Sequence, residues 1–275
     1  FLNSKRGLFG EQDRLLERLS IFAEKEPSHA QKIISSANVI LKHNFDLLGS
    51  GLTSLNFPAE VKGFHGVEYE WEEYQRPKKS SYTFNGYKEI DWHIDFKSGY
   101  RWDPNCYYPI ARGYTKTPGA DIKIPWELSR GQHLPTLGLA YILTKDECYA
   151  EEICSQLIDW IENNPLCKGP NWNCAMDVGI RIVNWLVALE LIRNYKPKNN
   201  IDRMQMVVAS VVQHMDYLWN NFEWTSKLTS NHYLSNLAGF LFCTVYIPKL
   251  KRIECFTKFI KRQFELEIQK QMHSD

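Results

Sequence analysis

Residues 174–194 read Cys174-Ala175-Met176-Asp177-Val178-Gly179-Ile180-Arg181-Ile182-Val183-Asn184-Trp185-Leu186-Val187-Ala188-Leu189-Glu190-Leu191-Ile192-Arg193-Asn194. Apolar side chains recur at three- and four-residue steps. Met176, Ile180, Val183 and the Leu186/Val187 pair share one face, which predicts a helix with that face in a core. Asn173 is placed to cap its start. Asp177 and Arg181 stand at i and i+4 in the favourable order and are expected to pair along the helix. Arg181 and Asn184 lie near one face, a candidate polar strip lining a cleft.

The helical period continues in both directions. It predicts helices over 132–143, 147–163, 201–222, 231–246 and 249–271. The links are short and carry Pro or Gly at Asn164-Pro165, Gly169-Pro170, Pro197 and Pro248. Helices so joined pack antiparallel. Residues 10–48 read as two more helices. Leu15, Leu16, Leu19 and Phe22 stripe the first; Ile33, Ile34, Ala37, Ile40 and Leu41 stripe the second, which runs to a stop at Gly49. The prediction is an all-α domain over residues 1–275, an incomplete (α/α) toroid and not a four-helix bundle.

Residues 49–121 interrupt this pattern. They hold eight of the 15 Gly and 15 of the 37 aromatic residues. They read as an irregular, aromatic-rich segment. A short hairpin is expected about the Asn85-Gly86 turn within Tyr82–Tyr87. Long segments of this kind in a compact domain are usually functional.

Composition excludes several classes. With 33 basic and 32 acidic residues and 24% charged side chains, the chain is neither disordered nor a polybasic nucleic-acid binder. The longest apolar run, 237–247, is too short to span a bilayer, so no membrane insertion is expected. The seven Cys contain no CxxC pair. Cys243 and Cys255 read as core residues, while Cys167 and Cys174 flank a turn and are a possible disulfide. No HExxH, GxSxG, Walker or GxGxxG pattern occurs, so no metal or cofactor is expected.

Three clusters could carry chemistry. Trp126-Glu127-Leu128-Ser129-Arg130 sets an indole beside an acid and a base three residues apart. It is either a surface ion pair at a helix start or a sugar-stacking Trp beside an Arg that grips a carboxylate. Asn171-Trp172 leads into the helix of the opening paragraph. Ser230-Asn231-His232 opens the 231–246 helix, where free N–H groups suit an anion and a neutral imidazole can act as a base. The plainer alternative is that Ser230 or Asn231 caps the helix with His232 packed beneath.

Together these strings resemble the heparinase II/III family of polysaccharide lyases. The resemblance is carried by Asp95-Phe96-Lys97-Ser98-Gly99-Tyr100-Arg101-Trp102, Ile124-Pro125-Trp126-Glu127-Leu128-Ser129-Arg130, Asn163-Asn164-Pro165, Asn171-Trp172, 176–185 and Ser230-Asn231-His232, in order. It implies the N-terminal toroid of a longer, commonly periplasmic protein with a β-sandwich to follow. It implies β-elimination on an acidic, uronate-containing polysaccharide. Asn231 binds the carboxylate, His232 is a base or assists one, and Arg130 helps to form the acidic-substrate site. Trp126 and Trp172 are candidate ring-stacking walls, with Glu127 and Arg181 beside them. In the family a catalytic Tyr follows the Asn-His pair in a Tyr-His segment, whereas this chain ends 43 residues after His232. The chain therefore reads as a piece cut at both ends, inactive alone. Two alternatives are a non-catalytic acidic-glycan-binding or polysaccharide-assembly protein, and an α/α-toroid glycoside hydrolase built on Glu127 and Asp177. Neither the polysaccharide nor the oligomeric state is legible.

Overall fold

The computed structural model describes residues 12–59, 80–107, 119–196, 200–227, 229–246 and 251–272. Helices follow the apolar period over most of these. They are α1 (Gln12–Lys25), α2 (Pro27–Ile40), α3 (Lys123–Ser129), α4 (Leu134–Thr144), α5 (Glu147–Asn163), α6 (Ala175–Leu191), α7 (Asn200–Asn220), α8 (Asn231–Tyr246) and α9 (Lys251–Gln271). Alternate helices stand side by side: α2 against α4, α4 against α6, α6 against α8, and α5 against α7. Each also packs on a chain neighbour, as α1 does on α2, α4 on α5, α6 on α7 and α8 on α9. Two layers result, an arc of an (α/α) toroid. No helix among the described residues is long and apolar enough to cross a membrane.

The central helix α6 departs from its predicted facing. Of the predicted face Leu186 is buried, but Met176, Ile180, Val183 and Val187 are only half-buried, whereas Val178, Ile182, Trp185 and Leu189 are buried. Packed by α4, α7 and α8 together, α6 is covered on nearly every side, so its apolar stripe does not mark the deepest face. Asn173 does not cap it. The Met176 N–H is instead met at 2.8 Å by Glu223 Oε2, from the loop after α7. An acid at a helix start satisfies an orphan donor and suits the dipole.

Other expectations are corrected. The second helix stops at Ile40, not Gly49. His43 takes a positive φ, and a strand β1 (Asn44–Asp46) pairs antiparallel with β2 (Leu52–Ser54). Asn85-Gly86 turns the chain without strands around it. A second hairpin joins β3 (Ile94–Asp95) to β4 (Tyr100–Arg101), where Asp95 accepts from Lys97 N at 2.9 Å and Ser98 Oγ at 2.6 Å. Cys167 and Cys174 are free thiols. Cys243 is in the core, as expected; the side chain of Cys255 lies outside the described residues.

The irregular segment is held by a buried polar stripe on α5: Glu152, Ser155, Gln156, Asp159 and Asn163. Asp159 Oδ2 accepts from Tyr87 Oη at 3.1 Å, Ile90 N at 2.9 Å and Trp92 Nε1 at 2.9 Å, and Oδ1 accepts from Asn163 Nδ2 at 2.8 Å. Glu152 meets His43 Nε2 at 2.8 Å. Phe84 N donates to Ser155 Oγ at 3.2 Å. Asp159 Oδ2 and Ser155 Oγ thus take donors that the loop does not satisfy within itself.

Candidate functional site

The first turns of α6 and α8 lie together, and the candidate residues gather about them. Ser230 Oγ accepts the His232 N–H at 3.2 Å, so the capping expected of Ser230 is present, but His232 is not packed beneath it. His232 and Glu223 have side chains 41% and 34% exposed, with Nδ1 and Oε1 3.1 Å apart. In a neutral ring that contact puts the proton on Nδ1, donated to the carboxylate, and leaves a lone pair on Nε2. Asn231 is exposed, and its Nδ2 has a weak contact with Met176 Sδ at 3.8 Å. Cys174, just before α6, is buried beneath. Burial and the neighbouring Asp177 carboxylate push its thiol well above the usual range.

Arg130 joins this group through Asp177. Its Nε donates to Asp177 Oδ1 at 2.5 Å, and its Nη1 donates to Glu127 Oε2. The guanidinium is 20% exposed, and Asn184 Nδ2 donates to the Arg130 carbonyl at 3.0 Å. Asp177 therefore pairs across elements with Arg130 and not along α6 with Arg181. Asn184 buttresses Arg130 and forms no polar strip with Arg181. A cleft of about 410 Å³ opens beside Glu127, lined also by Ser36, Asn44, Asp46 and His133. Its lining carries the carboxylates of Glu127 and Asp46.

Two predicted residues fall elsewhere. Arg181 is fully buried, with Cζ 4.1 Å from the Trp160 ring centroid and 5.0 Å from that of Trp172. Its Nε donates to His214 Nε2 at 3.0 Å and its Nη1 to the Asn171 carbonyl at 2.9 Å. Burial lowers its pKa to about 9. Trp172 is 1% exposed and packs on His214 and Tyr217. Neither reaches a ligand at the surface. Trp126 is half-buried, its Nε1 donating to the Pro170 carbonyl at 2.8 Å. Among the described residues the exposed indole is Trp224, 53% accessible and next to Glu223 in the chain. Sequence reasoning missed both Glu223 and Trp224, which lie past a predicted helix end with no motif of their own. On the other flank, Gln271 Nε2 donates to the Ser230 carbonyl at 3.2 Å and Lys270 Nζ to Thr229 Oγ1, so α9 braces the loop ahead of Asn231.

Asn231-His232 thus opens α8 against the start of α6. Residues 62–275 match the family model described as heparinase II/III N-terminus. The chain belongs to the heparinase II/III family. A heparin-sulfate lyase of Bacteroides stercoris is 33% identical over 86 residues, 31% of this chain and 10% of that relative. The heparan sulfate lyase HepC of Pedobacter heparinus, solved as a mutant, superposes with a TM-score of 0.58 at 20% identity, over 88% of this chain and 30% of its own. That likeness supports the toroid arc. The heparinase III-BT4657 gene product superposes at a TM-score of 0.48 and 22% identity, over 59% of this chain and 28% of its own. The family chain described here thus spans under a third of either solved chain.

Proposed function

We propose that the protein is the helical part of a polysaccharide lyase that cleaves a uronate-containing polysaccharide by β-elimination. The observation that carries this reading is the clustering of Asn231, His232 and Glu223 at an accessible corner of a heparinase II/III toroid. Asn231 Nδ2 donates to the uronate carboxylate, which spreads the charge that builds as the C5 proton leaves. His232 takes that proton on Nε2, while Glu223 fixes the ring from Nδ1. The C5–H electrons form the C4–C5 double bond. The glycosidic oxygen departs from C4 with its bonding pair and takes a proton from an acid elsewhere in the whole protein. Trp224 offers a face for a sugar ring, and Arg130 is within the same acidic network.

The test is ultraviolet absorbance from the new double bond, followed with acidic glycans on the full-length protein. Asn231→Ala is expected to reduce kcat about 10²–10³-fold, the usual cost of a lost donor to developing charge, with the fold unchanged by circular dichroism. Unchanged kcat in a folded Asn231→Ala protein removes Asn231 from the mechanism. Saturated products point instead to hydrolysis.

A further inference from the structure

We propose that Cys174, Glu223 and His232 form a binding site for a divalent cation of the zinc class, and that this ion and the proton-accepting role of His232 exclude one another. The thiol, a carboxylate oxygen and a ring nitrogen all lie within 4.8 Å of one another. They come from three places in the chain: before α6, after α7 and at the start of α8. No ligand spacing in the sequence could have revealed them.

The donor set decides the class of ion. Sulfur, imidazole and carboxylate suit zinc, whereas calcium and magnesium prefer oxygen alone. Zinc bonds of about 2.0–2.3 Å at tetrahedral angles put donor atoms roughly 3.3–3.6 Å apart. The Glu223–His232 edge is already 3.1 Å. The sulfur edges, each within 4.8 Å, need to close by at most about 1 Å, which turns of the two partly exposed side chains allow.

The surroundings also favour a cation. Asp177 is 1% exposed, and its Oδ2 is buried with no full-strength donor, beside the Cys174 thiol. At the corner the Arg130 guanidinium faces the carboxylates of Glu127 and Asp177, and Glu223 adds a third; the buried Arg181 guanidinium interacts by charge with Asp177 and Cys174 and so favours the thiolate that a metal needs. The positive end of α6 opposes a cation, but Glu223 Oε2 already engages it at Met176 N. Binding displaces the thiol proton to solvent. A neutral imidazole has one free lone pair, so a metal on either nitrogen leaves the other as N–H and no base remains. This second half rests on the lyase reading; the site itself does not.

The experiment titrates the metal-free, full-length protein with Co²⁺. One equivalent is expected to give a thiolate-to-cobalt charge-transfer band and the visible bands of a four-coordinate ion, both displaced by Zn²⁺. Cys174→Ser is expected to abolish the charge-transfer band. Glu223→Gln and His232→Ala are expected to weaken binding about tenfold or more, since even outer partners of metal ligands matter by that factor. The absence of bands in folded protein, or their survival in Cys174→Ser, overturns the site. Should Cys174→Ser fail to fold, undiminished affinity in Glu223→Gln overturns it equally. Stoichiometric Zn²⁺ is expected to halt glycan cleavage, and a chelator to restore it. Full turnover with zinc bound overturns the exclusion. No turnover without metal strikes the lyase reading and leaves cobalt binding to decide the site.

Discussion

Gly179→Ala is expected to destabilise the protein by about 3 kcal/mol, the upper end of what overpacking costs, and to disturb the corner where Asn231 and His232 sit. A Cβ at Gly179 would stand 2.5 Å from the Ser235 carbonyl oxygen and 2.9 Å from its carbon. These are backbone atoms and cannot swing aside as a side-chain end would. Across the contact, a Cβ at Gly239 would meet Gly179 Cα at 2.7 Å. The helices α6 and α8 therefore touch backbone to backbone, and two glycines permit it. Ser235 is one turn past Asn231, so relief of the clash moves the first turn of α8 away from Met176 and Glu223. The melting temperature is expected to drop by several degrees, and any catalysis more steeply than in a similarly destabilised core variant remote from the corner. A Gly179→Ala protein that melts with the wild type would mean that the two helices re-pack without strain.

Asp159→Ala is expected to cost about 3–5 kcal/mol. It strands the Tyr87 hydroxyl, the Ile90 amide and the Trp92 indole N–H, each buried and each directed at one carboxylate. Denaturant melts of variant and wild type measure the cost; a loss under 1 kcal/mol would remove Asp159 as the tie between the irregular segment and α5. Asp159→Asn adds a pH signature. Burial pushes the Asp159 carboxyl up to about 7, against the donors that pull it down. A raised pKa means that the group's stabilising share is complete below the unfolded value near 3.9 and is lost as pH rises through 7. The stability of wild type relative to Asp159→Asn is therefore expected to be greater at pH 5 than at pH 8, by about 2–3 kcal/mol. Taking the difference cancels the opposite trend from His93 and His133, both lowered to about 4 by burial.

The helices were legible because their apolar periods are long. The 147–163 prediction coincides with α5, and 231–246 with α8. The family was legible in motifs whose roles in the fold differ from one another. Asp95–Trp102 makes a hairpin, Asn164 binds His93 and Asn171, and Arg181 stacks inside the aromatic core. A motif thus marks kinship without saying whether its residue is at the surface. Arg181 and Trp172 carried no sign of their burial, because a charged or amphipathic side chain reads as polar until its partners are known. Asp177 looked paired to Arg181 because only local partners can be seen along a helix; Arg130, 47 residues earlier, is a tertiary partner. The helix ending at Ile40 was overrun because residues 44–48 continue an apolar pattern that strand pairing claims instead.

The three indoles around Arg181 give the protein an optical character. Trp160, Trp172 and Trp185 lie within 6 Å of one another or of His214, ring centre to ring centre, in the buried interior, while Trp224 stands in solvent. Emission from the folded chain therefore has a blue component from packed rings and a red one open to dissolved quenchers. The first reports whether the interior is intact. The second reports who visits the corner beside Glu223, and a glycan that lands there announces itself by shielding one lamp of the set.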